Sequence, residues 1–319
     1  MLRCRAPSIY PSTETMSDDF TITDGIESLR GRFAIPDLPS GSAPVFLLAS
    51  GWRSGSTLVQ RLLASSGQVL MWGEPYDHCG LIRGMAGSLR PFAEPWPPVD
   101  PKGDWPPAGY VVDPEDPPTA GRWIANAYPH PAHLLAAHRA FFDRLFDAPA
   151  AAAGFERWGV KAVRLDGEHA GYLQTLYPDA RFIFLHRNPW DAWSSYRRRH
   201  DERQTAYWWL HRWPDEPVST AAHFASIWRR ATESFLGWAP VVGATVVAYE
   251  SVVRGDSLVP LAEAAGVKIR SKVLRKRIGG SSADHTGGRR VSDDADRAAI
   301  GDAVGPVARR LGYVGPTGR

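Results

Sequence analysis

Cysteine is nearly absent from this 319-residue chain, with only Cys4 and Cys79. Two thiols so far apart match no metal-ligand spacing and make no disulfide scaffold, so a reducing, cytoplasmic setting is the expectation. Lysine is scarce as well: only five of the 37 basic residues are lysine, at 102, 161, 268, 272 and 276. No apolar run approaches the roughly 20 residues that span a bilayer, so no membrane span is expected. The first 43 residues lack the apolar core of a signal peptide. They are polar and Ser/Thr/Pro-rich and read as a flexible tail, in which Met16 ("MSDDF") offers an alternative start. A formal net charge of +3 gives a nucleic-acid-coating role no support. His130, His133 and His138 cluster without carboxylate or cysteine partners, so no metal site is expected.

What the chain does contain is ordinary for a globular protein, 44% hydrophobic and 22% charged residues. Five short apolar runs stand out: "VFLLAS" (45–50), "QVLMW" (68–72), "WGVKAVR" (158–164), "RFIFLHR" (181–187) and "ATVVAYE" (244–250). They are continuously apolar instead of alternating, the pattern of parallel strands covered on both faces. Helix-like segments at 57–66, 119–147, 167–177, 189–201, 219–238, 256–265 and 293–311 separate them. The alternation predicts a three-layer α/β/α fold with a central parallel sheet over 44–319. Residues 91–118 interrupt it with ten prolines plus Trp96, Trp105 and Tyr110. Such a stretch forms neither helix nor central strand, and reads as an insertion, a linker or a lid.

The first strand runs into "GWRSGSTL" (51–58). Gly51 and Gly55 are one residue too close for a Walker A loop, and Ser56 stands where its lysine would be. Trp52 breaks the G-x-S-x-G pattern of a nucleophile elbow around Ser54. A glycine loop leading into a helix still suits an anion, because glycines admit positive φ and helix-start amides carry partial positive charge. Thr57 and Gln60 have capping-box spacing, which predicts a helix start at Thr57. Arg53 adds a charged donor inside the loop. A plain strand-to-helix turn is the alternative.

The fourth strand leads into a second candidate anion site, "RFIFLHRNPWDAWSSYRR" (181–198). The strand delivers Arg187 at its carboxyl edge, Pro189 starts a helix, and Ser194 and Ser195 follow on its first turns. Ligands of open α/β sheets gather at the carboxyl ends of strands, so both motifs are expected to share one crevice. An Arg187–Asp191 ion pair with filler serines is the alternative.

Taken together, the two motifs resemble the 5′-phosphosulfate loop and the 3′-phosphate motif of sulfotransferases. The donor of these enzymes is 3′-phosphoadenosine 5′-phosphosulfate (PAPS) and their product is 3′,5′-bisphosphoadenosine (PAP). The likeness covers residues 45 to 313 and is strongest to the bacterial and Golgi-type branches with an R-S-G-[ST]-[ST] loop. It implies a P-loop-like fold in which Arg53, Ser54, Gly55, Ser56 and Thr57 hold the phosphosulfate, and Arg187 and Ser195, eight apart as in the family, hold the 3′-phosphate. Within "GGSSADHTGGRR" (279–290), Arg289 or Arg290 would supply a further contact to that phosphate. "AYE" (248–250) matches a late strand-end pair and reads as structural. Gly73-Glu74-Pro75 matches the family's G-E-P motif and implies that Glu74 is the general base, with Asp77 and His78 in reserve; a helix-capping glutamate is the alternative. Lys161 matches a family lysine that would orient the acceptor or leaving oxygen, or else it snorkels to solvent. No metal is implied.

The acceptor expected is a small molecule, hydrophobic or glycosylated, offering a hydroxyl or an amine. Thirteen tryptophans in the chain are compatible with an aromatic pocket at 91–118 and "YWWLHRW" (207–213), or with core packing. A P-loop nucleotide kinase and a non-catalytic nucleotide-binding protein are the rival functions. A homo-oligomer stays open.

Overall fold

A computed structural model describes residues 20–76, 79–94, 129–203, 218–275 and 294–317, with the side chains of 198–203 excepted. The chain divides into two compact units, Met1–Asp37 with Gly84–Leu135, and Leu38–Arg83 with Ala136–Arg319.

Five strands form the sheet of the larger unit: β1 (Val45–Ala49), β2 (Val69–Trp72), β3 (Arg157–Ala162), β4 (Arg181–His186) and β5 (Thr245–Ala248). Their order is β2-β3-β1-β4-β5, and every pairing is parallel. Each expected strand is present, because a strand buried on both faces must be apolar throughout. The helices are α1 (Ile22–Phe33), α2 (Ser56–Ala64), α3 (Leu81–Gly87), α4 (Ala132–Phe142), α5 (Gly167–Leu176), α6 (Pro189–Arg203), α7 (Ala221–Val242), α8 (Tyr249–Arg254), α9 (Leu258–Ala265) and α10 (Asp294–Arg310). A π-helical turn, Asp143–Asp147, and a short helix, Ala148–Ala152, continue α4.

Helices cover both faces of the sheet. On one, Val45, Leu47 and Ala49 of β1 join Ile183 and Leu185 of β4 against Val59, Leu62 and Leu63 of α2 and Leu261 of α9. On the other, Phe46 meets Trp158 edge-on at 5.7 Å and Phe182 face-on at 5.4 Å, and Phe184 stacks on Phe235 of α7 at 4.5 Å. Fully burying one such aromatic ring contributes about 1.5–3 kcal/mol. The expected three-layer α/β arrangement is therefore present in this unit.

The sheet order has a consequence for function. The chain leaves β1 on one side for β2, and later passes from β3 across β1 to β4. Loops after β1 and after β4 thus stand side by side at the carboxyl edge, where ligands of open α/β sheets collect.

Three expectations need correction. The segment read as a flexible tail contains α1, which Thr21 and Asp24 close with a reciprocal capping box. Ile22, Ile26 and Leu29 form its buried face, at spacings of four and three residues. In that smaller unit Arg32 Nη2 donates to the Phe92 carbonyl at 2.7 Å. The fifth strand ends at Ala248, and Tyr249 and Glu250 open α8 instead. The expected 119–147 helix begins at Ala132 within the described residues; 119–128 lie outside them, as do 95–118 of the proline-rich segment. Among the described residues no helix is long and apolar enough to cross a membrane.

Candidate functional site

The glycine loop adopts an unusual backbone. Gly51, Arg53 and Gly55 all have positive φ (141°, 63° and 85°), so alternate residues are reversed. For Arg53, a non-glycine residue, this left-handed conformation is uncommon and points to a constraint. Gly55 is constrained twice, because an added Cβ would lie 2.0 Å from Cδ2 of Tyr249. Helix α2 starts at Ser56 with Gly55 as its N-cap, which has no side chain to bond the first amides. The Thr57–Gln60 capping box is absent. Gln60 instead donates through Nε2 to the Met71 carbonyl at 3.0 Å, tying α2 to β2. Ser54 is 2% exposed, and its Oγ has no hydrogen-bond partner among the described residues.

Arg187 follows β4 directly. Its Nη1 donates to the Arg53 carbonyl at 2.8 Å, and its guanidinium lies 4.6 Å from the centre of the Tyr249 ring. Its buried Nε has no partner among the described residues. Arg53 in turn donates through Nε to Ser195 Oγ at 3.0 Å. Ser194 is turned to its own helix and donates to the Trp190 carbonyl, which separates the roles of the two adjacent serines. Asp191, the alternative partner for Arg187, accepts from the Thr317 hydroxyl; burial raises its carboxyl pKa, partly offset by that hydrogen bond and by the Arg187 charge. Arg53, Arg187 and Ser195 thus form one cluster across the carboxyl edges of β1 and β4. Tyr249 makes it a group of four. Burial, partly offset by Arg187, raises the Tyr249 phenol's pKa, which favours a neutral ring under the guanidinium.

Two further aromatic residues flank the cluster. Trp52, next to Arg53, stacks on Tyr196, next to Ser195, at 5.7 Å and 14°. The Arg164 guanidinium lies 5.2 Å from the Trp52 ring centre. Neither these contacts nor the role of Tyr249 follows from the sequence. Their only trace there is a bulky aromatic immediately beside Arg53 and another beside Ser195.

A second cluster lies at the carboxyl ends of β2 and β3. Glu74 follows β2, and Lys161, opposite Leu47 of β1 in register, is buried at 6% exposure. The Lys161 ammonium pairs with Glu74 Oε1, so Lys161 does not extend to solvent. Arg83 lines a small pocket with Glu74, beside the apolar Pro75, Leu81, Ile82, Ala162 and Leu165. Asp77, His78, Arg289, Arg290 and residues 207–213 lie outside the described residues. Among those described, no group of three or more His, Cys, Asp or Glu is arranged to hold a metal ion.

Two arginines, a serine hydroxyl and helix-start amides in one cluster fit an anionic ligand. Among the described residues, the buried Ser54 hydroxyl and Arg187 Nε of this cluster have no partner, and leaving such groups unpaired costs about 1–3 kcal/mol each.

A sequence model described as "Sulfotransferase family" matches residues 44–256. No curated protein matches the chain. Similar solved structures include the sulfotransferase domain of the Synechococcus PCC 7002 olefin synthase, with 17% identity over 88% of this chain and 98% of that one, at a TM-score of 0.42. Others are a sulfotransferase from Alicyclobacillus acidocaldarius (14%, 85% and 94%, 0.43) and sulfotransferase STF9 from Mycobacterium avium (15%, 91% and 79%, 0.40).

Proposed function

Because this chain belongs to the sulfotransferase family, we propose that it transfers a sulfuryl group from PAPS to the hydroxyl, or the amine, of a small-molecule acceptor. The observation that carries the reading is the cluster in which Arg187 donates to the Arg53 carbonyl and Arg53 donates to Ser195. It joins the two candidate anion-binding motifs, with Arg53 and Arg187 134 residues apart, at one sheet edge.

The donor supplies an activated sulfuryl group, whose S–O bond to the phosphate breaks as the acceptor oxygen bonds to sulfur. The chain's residues perform the rest. Arg53, Ser54 and the amides of Gly55, Ser56 and Thr57 would hold the phosphosulfate end, and Arg187 with Ser195 the 3′-phosphate. Arg289 and Arg290 remain proposed additional contacts. Arg53 and the helix-start amides would stabilise charge on the departing phosphate, each charge-assisted contact contributing about 1.5–3 kcal/mol. Glu74 would accept the acceptor's proton, and Lys161 would hold that carboxylate in place and orient an oxygen. Asp77 and His78 are the reserve bases. Pro75, Leu81, Ile82, Ala162 and Leu165 beside Glu74 support an acceptor whose reactive hydroxyl sits on a hydrophobic or glycosidic body, with Arg83 the charged residue of the same lining.

A direct test offers the purified chain a panel of hydroxyl and amine acceptors, once with labelled PAPS and once with ATP and magnesium. Sulfated product with PAPS alone supports the proposal. Phosphorylated product with ATP, or product from neither donor across the panel, contradicts it.

A further inference from the structure

The C-terminal segment after α10 lies outside the family-matched residues 44–256, and yet it closes around the residues that flank Arg187. The Tyr313 hydroxyl donates to Glu250 Oε2 at 2.8 Å. Its oxygen also lies 2.9 Å from His186 Nδ1. With the hydroxyl proton committed to Glu250, the contact requires His186 Nδ1–H to donate to Tyr313, which fixes the tautomer. The other carboxylate oxygen of Glu250 accepts from the Asn188 backbone N–H at 2.9 Å. One chain of hydrogen bonds, His186 to Tyr313 to Glu250 to Asn188, therefore spans the two residues on either side of Arg187.

The remaining freedom of this strand end is also restricted. Asn188 Nδ2 donates to the Gly315 carbonyl at 2.7 Å, and Thr317 donates to Asp191. Trp228 Nε1 donates to the Arg187 carbonyl at 3.0 Å. His186 is 6% and Asn188 1% exposed, so these bonds are screened little by water and leave few alternative partners. Burial holds His186 down to about 4, so the imidazole is neutral at neutral pH. Burial and Glu250 hold the Tyr313 phenol well above its usual value, so it keeps the proton it donates.

We propose that Tyr313, acting through Glu250 and the His186–Asn188 backbone, is a positioning residue that sets the guanidinium of Arg187 for the 3′-phosphate of the donor. The proposal rests on the PAPS reading above. Tyr313 touches no donor group itself. Its effect is confined to ligands that carry a 3′-phosphate, which a general role in stability would not be.

Calorimetry of PAP and of ADP with the wild type, Tyr313→Phe, Arg187→Ala and the double variant tests this. Losing the hydroxyl's bonds is expected to weaken PAP binding by about 3- to 10-fold and leave ADP binding unchanged. In the Arg187→Ala background, Tyr313→Phe should change neither affinity. Should Tyr313→Phe not fold, Glu250→Gln breaks the same chain in the interior and carries the same expectation. A wild type that binds PAP and ADP equally would refute the PAPS reading and this proposal together. A wild type that prefers PAP, with folded variants that keep the full preference, would refute the proposal alone. So would an undiminished effect of Tyr313→Phe in the absence of Arg187.

Discussion

Replacing Gly55 with alanine perturbs the loop at the point where two constraints coincide. The backbone there is left-handed, at φ 85°, which costs a residue with a Cβ about 1–2 kcal/mol. The new Cβ would also lie 2.0 Å and 2.2 Å from Cδ2 and Cε2 of Tyr249. No side chain can stay at that distance, so the ring must move, and overpacking of this kind costs about 1–3 kcal/mol. The expected loss of stability is therefore about 2–5 kcal/mol in urea unfolding. Because the Arg187 guanidinium lies 4.6 Å from that ring, PAP affinity should fall in whatever fraction folds. Gly67→Ala is the internal control. It has a similar φ of 73° and, among the described residues, nothing within 4 Å of its added Cβ, so it should show the backbone cost alone. Equal losses in the two variants would refute the steric coupling of the loop to Tyr249, and unimpaired PAP binding by Gly55→Ala would refute its consequence for the site.

Three other outcomes are expected. Glu74→Gln should abolish turnover while PAP affinity by calorimetry stays at the wild-type value; retained turnover would move the base to Asp77 or His78. Lys161→Met removes the partner of Glu74 in its ion pair and should lower kcat at least about 10-fold with little change in the KM for PAPS; an unaltered kcat would leave Lys161 a purely structural role. Acidification should destabilise the fold through His186, whose folded-state value of about 4 lies below the ordinary 6.5. The unfolded chain takes up the proton first, so this contribution is complete above pH 6.5 and is lost as the pH falls towards 4. The slope is about 1.4 kcal/mol per pH unit, or roughly 2 kcal/mol between pH 6.5 and 5. His138, lowered by burial as well, acts in the same direction. His186→Asn retains a donor without titrating, and urea midpoints across this range should be less pH-dependent in that variant.

The sheet was legible in the sequence because a strand covered on both faces leaves no room for polar alternation, as "VFLLAS" and "RFIFLHR" display. The glycine loop and the Arg187–Ser195 spacing were legible because each is local. What stayed hidden depends on residues that are distant along the chain. Tyr249 meets Gly55 only because β5 stops one residue before it and α8 turns the ring inward. Tyr313 meets His186 across 127 positions, and Trp52 meets Tyr196 only because β1 and β4 are neighbours. Two local misreadings have local causes. Helix α1 is masked in the sequence because the Ser/Thr/Pro content of the first 43 residues outweighs a capping box and three spaced apolar residues. The Thr57–Gln60 pairing had the right spacing, but Gly55 starts the helix earlier and Gln60 is bonded to the Met71 carbonyl.

The proposed function requires a crevice that reads two anionic groups on one nucleotide. Titrating the wild-type chain with PAP and, separately, with ADP tests this most directly, because the two ligands differ in where the second phosphate is placed. Contacts from Arg187 and Ser195 should make PAP the tighter ligand by roughly 10- to 100-fold. Equal affinities, or a preference for ADP, would contradict it.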